Sequence, residues 1–325
     1  MIRVTLIIYE DAVLSAIAGV IDLLAGVNSY FENAGKPPVF QLQLVSEKLK
    51  NIQLNVPAQF ICYSTFAEVT QTDLIIVPAF NVSNKGVLIK NAAITSWIKE
   101  MHSSGTEIAS LCVGSYFLAE AGVLNGKEVT SHWAVLEDMQ LRYPLIKMKP
   151  DLVITDQDGI YTSGGAFSSL KLVLYLIEKF CGREVALWIS KLYAIEMERT
   201  SQAHFAVFTG QHRHEDQEIL KSQYFIEQNY ASDISIDEVA AQTCMGMRNF
   251  IRRFKAATKN TPLEYLQRVR IESAKKAFEM NEHDTIDIMS NTGYKDMKSF
   301  RTMFKRITGL SPQDYRKKYG RSIAV

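Results

Sequence analysis

The 325-residue sequence has only four cysteines, Cys62, Cys112, Cys181 and Cys244, with no paired spacing among them. That scarcity argues against a disulfide framework or a zinc site and fits a reducing compartment. Net charge is almost absent, at +1. No apolar run is expected to reach the length of a membrane span. Met1–Tyr9 is a short apolar run carrying Arg3 and lacks the layout of a secretory leader. Together these absences lead to the expectation of a soluble, cytoplasmic protein with no membrane partner.

The small total charge hides an uneven distribution. Residues 221–325 hold 19 Lys/Arg against 12 Asp/Glu, whereas residues 1–220 hold 17 against 23. A basic block suits phosphate contacts, and an acidic block is repelled by them. The length suits two domains, of which only the second is built for nucleic acid.

What the sequence does have is a repeat. Displaced by 50 positions, the stretch Ser235–Tyr315 pairs Ile236 with Ile286, Asp237 with Asp287, Met247 with Met297 and Phe250 with Phe300. The same displacement pairs Phe254 with Phe304, Lys255 with Lys305, Thr258 with Thr308, Pro262 with Pro312 and Tyr265 with Tyr315. Two copies are too few for a solenoid, so two equivalent subdomains are expected. Each reads as helix, tight turn, helix. In the first copy Ser235 is the predicted N-cap with Glu238 three residues on, a capping-box spacing. Thr243–Gly246 makes the turn, and Met247–Thr258 the second helix, with Phe250 and Phe254 on its buried stripe. In the second copy Thr285 is the expected cap, Asn291–Gly293 the turn, and Phe300 and Phe304 the anchors. Helix-turn-helix modules lay their second helix in the major groove with its first side chains on base edges. Arg248, Asn249 and Arg252, with Lys298, Ser299, Arg301 and Thr302 in the second copy, are therefore the candidate DNA-contacting residues.

Ser235–Tyr319 resembles the AraC/XylS-type DNA-binding domain, through "MRNFIRRFKAATKNTPLEYLQRVRIESA" and "TGYKDMKSFRTMFKRITGLSPQDYRKKY". The resemblance implies seven helices, with Gln267–Met280 joining the modules, and double-stranded DNA as a partner. One position departs from it: the second recognition helix has Thr302 where the family commonly carries a basic residue.

Residues 1–195 alternate strand and helix signals. Strands are expected at Val4–Tyr9, Phe40–Ser46, Leu74–Pro78, Glu107–Leu111 and Leu152–Thr155. Helices are expected at Ala12–Phe31, Val87–Ser103, Ser115–Ala121, Ala166–Phe180 and Glu184–Leu192. This pattern implies an α/β unit, a mainly parallel sheet sandwiched by helices in a flavodoxin-like manner, ahead of an all-α unit with two helix-turn-helix modules. Ligands of such sheets bind beyond the carboxyl ends of the strands.

One junction lies at such an end. In "EIASLCVGSYFLAEAG" a strand runs into Cys112, then Val113 and Gly114, then a helix whose amide dipoles favour a thiolate. Twenty residues on stand His132 and Trp133, and the first helix carries Asp22. Cysteine, histidine and carboxylate are the parts of a nucleophilic triad. A cysteine at a strand end is as often a small buried hydrophobe.

The elbow "ASLCVGSYFLAEAGVLNGKEVTSHW", and more weakly "YTSGGAFSSLKLVLYLIEKFCGREVA", resemble the ThiJ/PfpI domain of the class I glutamine amidotransferase-like superfamily. Followed by an AraC-type domain, it is similar to the GlxA-type branch of transcriptional regulators. Enzymes of the superfamily often carry His directly after the elbow cysteine. Val113 stands there instead, which counts against hydrolase or protease activity. Cys112, Val113, His132, Trp133 and Asp22 are accordingly expected to wall a ligand pocket, with no catalytic residue, metal or cofactor assigned. The resemblance implies a small-metabolite sensor, in some members for a quaternary amine or an amino acid. Trp133, Tyr9 and Phe167 are the aromatic candidates for stacking on a cationic head group.

Between the halves, Arg199–Gln217 shows no periodicity. His212 and His214 beside Glu215 and Asp216 read as solvated polar residues rather than a metal site. The expected organisation is a ligand-sensing and dimerisation domain at 1–198, a linker at 199–217 and a DNA-binding domain at 218–325 that folds alone. The function that follows is a transcription factor with duplex DNA, a small-molecule effector, a second copy of itself and RNA polymerase as candidate partners. The rivals are a cysteine-dependent hydrolase or glyoxalase-like enzyme fused to a DNA-binding domain, and a constitutive DNA-binding protein whose first domain only dimerises.

Overall fold

The computed structural model of the chain describes every residue except 49, 50, 85, 198–200, 213, 281–283 and 321–325. Its internal contacts divide the chain into two units, Met1–Gln202 and Ala203–Val325. In the first, β1 (Ile2–Ile7) leads into α1 (Leu14–Asn33), β2 (Phe40–Ser46) and a largely exposed hairpin of β3 (Asn51–Gln53) and β4 (Gln59–Ile61). β5 (Ser64–Thr65), β6 (Leu74–Val77), α2 (Val87–Lys90) and α3 (Ala92–Ser103) follow. Next come β7 (Glu107–Ser110), α4 (Ser115–Glu120), β8 (Glu128–Val129), α5 (Leu136–Arg142) and β9 (Lys147–Met148). β10 (Ile154–Gln157), β11 (Ile160–Ser163), α6 (Ser169–Cys181) and α7 (Arg183–Leu192) complete the unit.

Seven strands form one sheet in the order β10-β11-β7-β6-β1-β2-β5, parallel except where β10 meets β11. Successive strand residues face opposite sides, and all four residues of β6 are buried, so both faces of the sheet are covered. α1, α6 and α7 pack on one another, and α3 packs on α4 and β7. The sheet grows outward from β1 in both directions, which puts the topological switch point between β1 and β6.

Several expectations are corrected here. α1 is, after all, long and apolar enough to cross a membrane by length and composition. Its apolar residues have another use, because Ile17, Val20, Leu23 and Val27 are buried in the core of the α/β unit. The helix expected over Val87–Ser103 is two, parted at Asn91, whose amide turns back onto the Val87 carbonyl at 2.9 Å. The strand expected at Leu152–Thr155 lies two residues later. β11 beside it carries Tyr161, Thr162 and Ser163 in full burial, an inward polar set that gives no apolar run to recognise.

The second unit is helical: α8 (Gln217–Asn229), α9 (Ile236–Ala241), α10 (Met247–Thr258), α11 (Pro262–Met280), α12 (Thr285–Asn291), α13 (Met297–Thr308) and α14 (Pro312–Tyr319). These are the seven helices the resemblance implies. Ser235 and Glu238 form the expected capping box, while the N-cap position of α12 is Asp284 rather than Thr285 and makes no side-chain cap bond. The repeat reappears as geometry. Phe254 meets Tyr265 edge to face at 5.4 Å and 82°, and Phe304 meets Tyr315 at 5.4 Å and 80°. Each tyrosine hydroxyl donates to a glutamate, Tyr265 to Glu227 and Tyr315 to Glu279. α11 belongs to both cores, giving Tyr265 and Leu266 to the first and Ile271, Ala274 and Phe278 to the second.

Of the expected linker, residues 199, 200 and 213 lie outside the described residues. From Ala203 onward the segment is packed within the second unit. A 3-10 turn, Ala203–Phe205, lies against α13, with Phe205 6.4 Å from Tyr319. The buried pair Lys275–Glu272 of α11 then clamps the backbone, Lys275 Nζ donating to Ala206 O at 2.5 Å and Phe208 N to Glu272 Oε2 at 3.1 Å. His212 and His214 are engaged with Glu227 and Gln223 of α8, at 2.9 and 2.8 Å. This packing has a consequence for stability. A fragment starting at Ala203 should exceed one starting at Glu218 by about 2 kcal/mol or more in urea unfolding, since the shorter one loses the Phe208 packing and uncovers a buried ion pair. Equal midpoints for the two fragments would contradict the clamp.

Candidate functional site

The carboxyl ends of β1, β6 and β7 converge at the switch point and bring Tyr9, Pro78 and Cys112 together. Cys112 follows β7 through Leu111, whose amide bonds the Val77 carbonyl of β6 at 2.9 Å. The Cys112 backbone has φ 56°, the left-handed region that costs a side-chain-bearing residue of order 1–3 kcal/mol. Three buried hydroxyls hold it there. The Cys112 amide donates to Ser163 Oγ at 3.1 Å, and its carbonyl accepts from Ser115 Oγ and Ser131 Oγ, each at 3.1 Å. Two residues on, a Cβ at Gly114 would lie 2.6 Å from Val77 O and 2.8 Å from Pro78 O, so only glycine lets the turn sit this close to β6. The strand-to-helix elbow is thus strained and braced, and it ends at the start of α4.

Tyr9 lies beneath it, edge-on to Phe117 at 5.4 Å, with its hydroxyl donating to Pro78 O at 2.8 Å. Burial, reinforced by nearby Asp11 and Cys112, pushes this phenol well above its ordinary range, so it stays a donor. Val113 is buried. His132 and Trp133 open a 3-10 turn beside the elbow, with rings 5.1 Å apart and tilted by 35°. His132 Nδ1 accepts from Ala134 N at 3.1 Å, which assigns the ring proton to Nε2 in the neutral form. Nε2 itself lies over Gly165, where an added Cβ would be 2.7 Å away. The nitrogen with a lone pair is therefore occupied in capping the turn. Phe167, two residues past Gly165, is 71% exposed.

Asp22 is not brought to this arrangement. It is exposed on α1, where its backbone carbonyl takes the Tyr193 hydroxyl at 2.8 Å. The carboxylate on this side of the sheet is Asp11, 4% exposed, which accepts from Asn55 Nδ2 at 2.8 Å and Asn84 Nδ2 at 2.6 Å, with Lys90 Nζ at 3.5 Å. Its signal was its place in "YED", directly after the carboxyl end of β1.

In the second unit, Arg248, Asn249 and Arg252 are exposed on α10, and Lys298, Ser299, Arg301 and Thr302 on α13. Arg252 Nη2 donates to Asn249 Oδ1 at 2.8 Å, which preorders two of the candidate readers. Arg253 is different, since it is committed inward to the α8 N-cap Asp216 through bonds of 2.9 and 2.7 Å. The two helices also begin differently. α10 starts at Gly246 with no side-chain cap and with its Asn249 amide on the Gly246 carbonyl at 3.0 Å, whereas Asp296 accepts from the Lys298 and Ser299 amides of α13 at 2.8 and 3.2 Å. An anion would meet open donors at α10 and a carboxylate at α13.

Comparison with known proteins finds relatives for each unit. The DJ-1/PfpI family matches residues 28–179, and a helix-turn-helix domain family matches residues 239–318. The HTH-type transcriptional regulator GbdR of Pseudomonas aeruginosa is 27% identical over 225 residues, 68% of this chain and 60% of that protein. The chain thus spans less than two thirds of GbdR's own length. The HTH-type transcriptional regulator ArgR of the same species is 24% identical over 238 residues, covering 73% of this chain and 72% of that one. A crystal structure of an AraC family transcriptional regulator from Pseudomonas putida shares the fold, with a TM-score of 0.52 at 17% identity over 59% of this chain and all of that one.

Burial holds the His132 pKa below its ordinary value. Above about pH 6.5 the ring is neutral whether the chain is folded or not. Below it the unfolded chain takes up a proton that the folded one resists, so stability falls as pH drops through the lowered folded value. His132→Gln should flatten that loss. Parallel declines of the urea midpoint for wild type and variant between about pH 7 and 5 would contradict it.

Proposed function

We propose that this chain, which joins a DJ-1/PfpI domain to an AraC-type helix-turn-helix domain, is a cytoplasmic transcriptional regulator that reads duplex DNA and answers to a small molecule. The observation that carries the reading is the duplicated pair α10 and α13, each anchored by two buried phenylalanines and each presenting exposed polar and basic side chains at its start. Arg248, Asn249 and Arg252 are the principal base readers, and Lys298, Ser299, Arg301 and Thr302 the second set. The open first turn of α10 and the closed one of α13 support that ranking. Basic side chains bidentate to guanine, and amides bidentate to adenine, are the contacts such residues make.

In the first unit, Cys112, His132 and Trp133 line the effector site at the switch point, Val113 backs it, and Asp22 drops out. The occupied Nδ1 of His132 and the Val113 position both speak against a thiol hydrolase. Two copies joined through the first unit would place two reading units on DNA at high effective concentration. RNA polymerase is the further partner a regulator of this kind would meet.

The test separates reading from folding. Arg252→Ala should weaken binding to a duplex selected by the wild-type chain by on the order of 1–3 kcal/mol and relax specificity at one position, with melting unchanged. Arg253→Ala should instead lower melting of the second unit. Unchanged affinity in Arg252→Ala, alongside a larger loss in Lys317→Ala on α14, would overturn the assignment.

A further inference from the structure

The two modules of the second unit meet at a seam beside α11, and half-buried Arg270 sits in it. Its guanidinium reaches the connection between α8 and α9 in the first module, Nε donating to Tyr230 O at 2.8 Å and Nη2 to Ser232 O at 3.0 Å. The same group lies over the ring of Tyr294, 5.7 Å from its centroid, in the turn that leads from α12 into α13. Tyr230 packs on the first aromatic core and Tyr294 on the second. α11 grips Tyr230 a second time, because the Tyr230 hydroxyl pairs with Ser273 Oγ at 2.8 Å.

The turn of the second module is built for this contact, and that of the first is not. At the displacement of 50, Gly293 stands where the first copy has Thr243. Gly293 has φ 82°, and an added Cβ would come 2.6 Å from Tyr230 O and 3.0 Å from the Arg270 guanidinium. Backbone conformation and space together exclude a side chain there. The Tyr294 hydroxyl is buried with no hydrogen bond among the described residues, which costs stability, so the position is held for the packing of the ring. α13 is also tied back to α11, by Arg306 Nη2 donating to Gln267 Oε1 at 2.9 Å. The Lys295–Asp233 ion pair crosses the same seam, but both groups are exposed and it adds little.

We propose that Arg270 is a positioning residue for duplex recognition: by joining the α8–α9 connection to the α12–α13 turn it fixes how α10 and α13 are turned about α11, and so makes the spacing of the two contacted tracts part of what the protein reads. The inference rests on the reading of α10 and α13 as recognition helices. The shared helix sets how far apart the modules stand, while the seam sets their angle. One base pair inserted between two tracts displaces the second by about 3.4 Å and roughly 35°, so a fixed angle penalises it. Arginine suits the role, since its planar fork serves two carbonyls at once, which a lysine ammonium on a flexible stem does less firmly.

The test compares wild type, Arg270→Met and Arg270→Lys as full chains. Each is titrated with a duplex selected by the wild-type chain, and with the same duplex carrying one base pair more or one fewer between its protected tracts. Wild type should lose on the order of tenfold in affinity at the altered spacings, Arg270→Met about threefold or less, and Arg270→Lys an intermediate factor. A purely structural role would weaken binding to all three duplexes by one common factor, and that outcome overturns the proposal. A second arm needs no DNA. Spin labels are placed on Cys244, exposed in the turn before α10, and on Lys305→Cys of α13, with Cys181→Ser removing the half-buried thiol. They should give one narrow distance distribution that broadens or shifts in Arg270→Met, and an unchanged distribution overturns the seam. Should Arg270→Met fail to fold, Arg270→Lys decides both arms, wild-type behaviour in each overturning the proposal. A chain that selects no duplex refutes the reading of α10 and α13, while the label distances still decide whether Arg270 holds the modules at a fixed angle.

Discussion

Everything in the second unit depends on one helix being shared. α11 buries Tyr265 and Leu266 in one aromatic core and Ile271, Ala274 and Phe278 in the other, so neither module closes its core without it. At 1.5 Å per residue its 19 residues span roughly 28 Å. That is somewhat less than the 34–36 Å between successive major-groove faces. On the proposed reading, the rigidity of this helix fixes where α13 falls once α10 is seated on bases. The Lys275–Glu272 pair of the same helix also holds the strap, so the element that spaces the modules is the element the preceding chain touches.

The first unit shows the opposite economy, with strain concentrated at a single residue. Cys112 is held in a left-handed conformation by Ser163, Ser115 and Ser131, and its approach to β6 requires Gly114. Three hydroxyls brace a turn whose Cys112 and Val113 side chains lie in the apolar core. The histidine beside it has its basic nitrogen engaged in capping a turn.

Much of this was legible in the sequence, for reasons particular residues make plain. The 50-residue repeat survives because each copy must rebuild the same Phe–Phe–Tyr cluster, and that constraint fixes residue types as well as polarity. The parallel strands were visible because burial on both faces leaves continuous apolar runs such as Leu74–Val77. What was hidden was decided by contacts distant in sequence. β11 is buried yet polar, since Ser163 and Thr162 serve hydroxyl bonds rather than core packing. Asp22 was singled out as the carboxylate carried by the first helix, and Asp11 was overlooked because only the folded loops bring Asn55 and Asn84 to it. The segment after residue 202 looked unpatterned because it is pinned through its backbone, by Lys275 and Glu272, and backbone bonds leave no side-chain period. Even α1, apolar enough to span a membrane, is so because the core of the α/β unit takes one face of it.

The central claim is that α10 and α13 read one face of a duplex as a rigid pair. Hydroxyl-radical footprinting of the full chain on a duplex it selects tests this most directly. The account predicts two protected tracts on the same face, centred about 10–10.5 base pairs apart for each bound unit, with the tract under α10 the stronger. A single protected tract per unit, or two tracts on opposite faces of the helix, would contradict it.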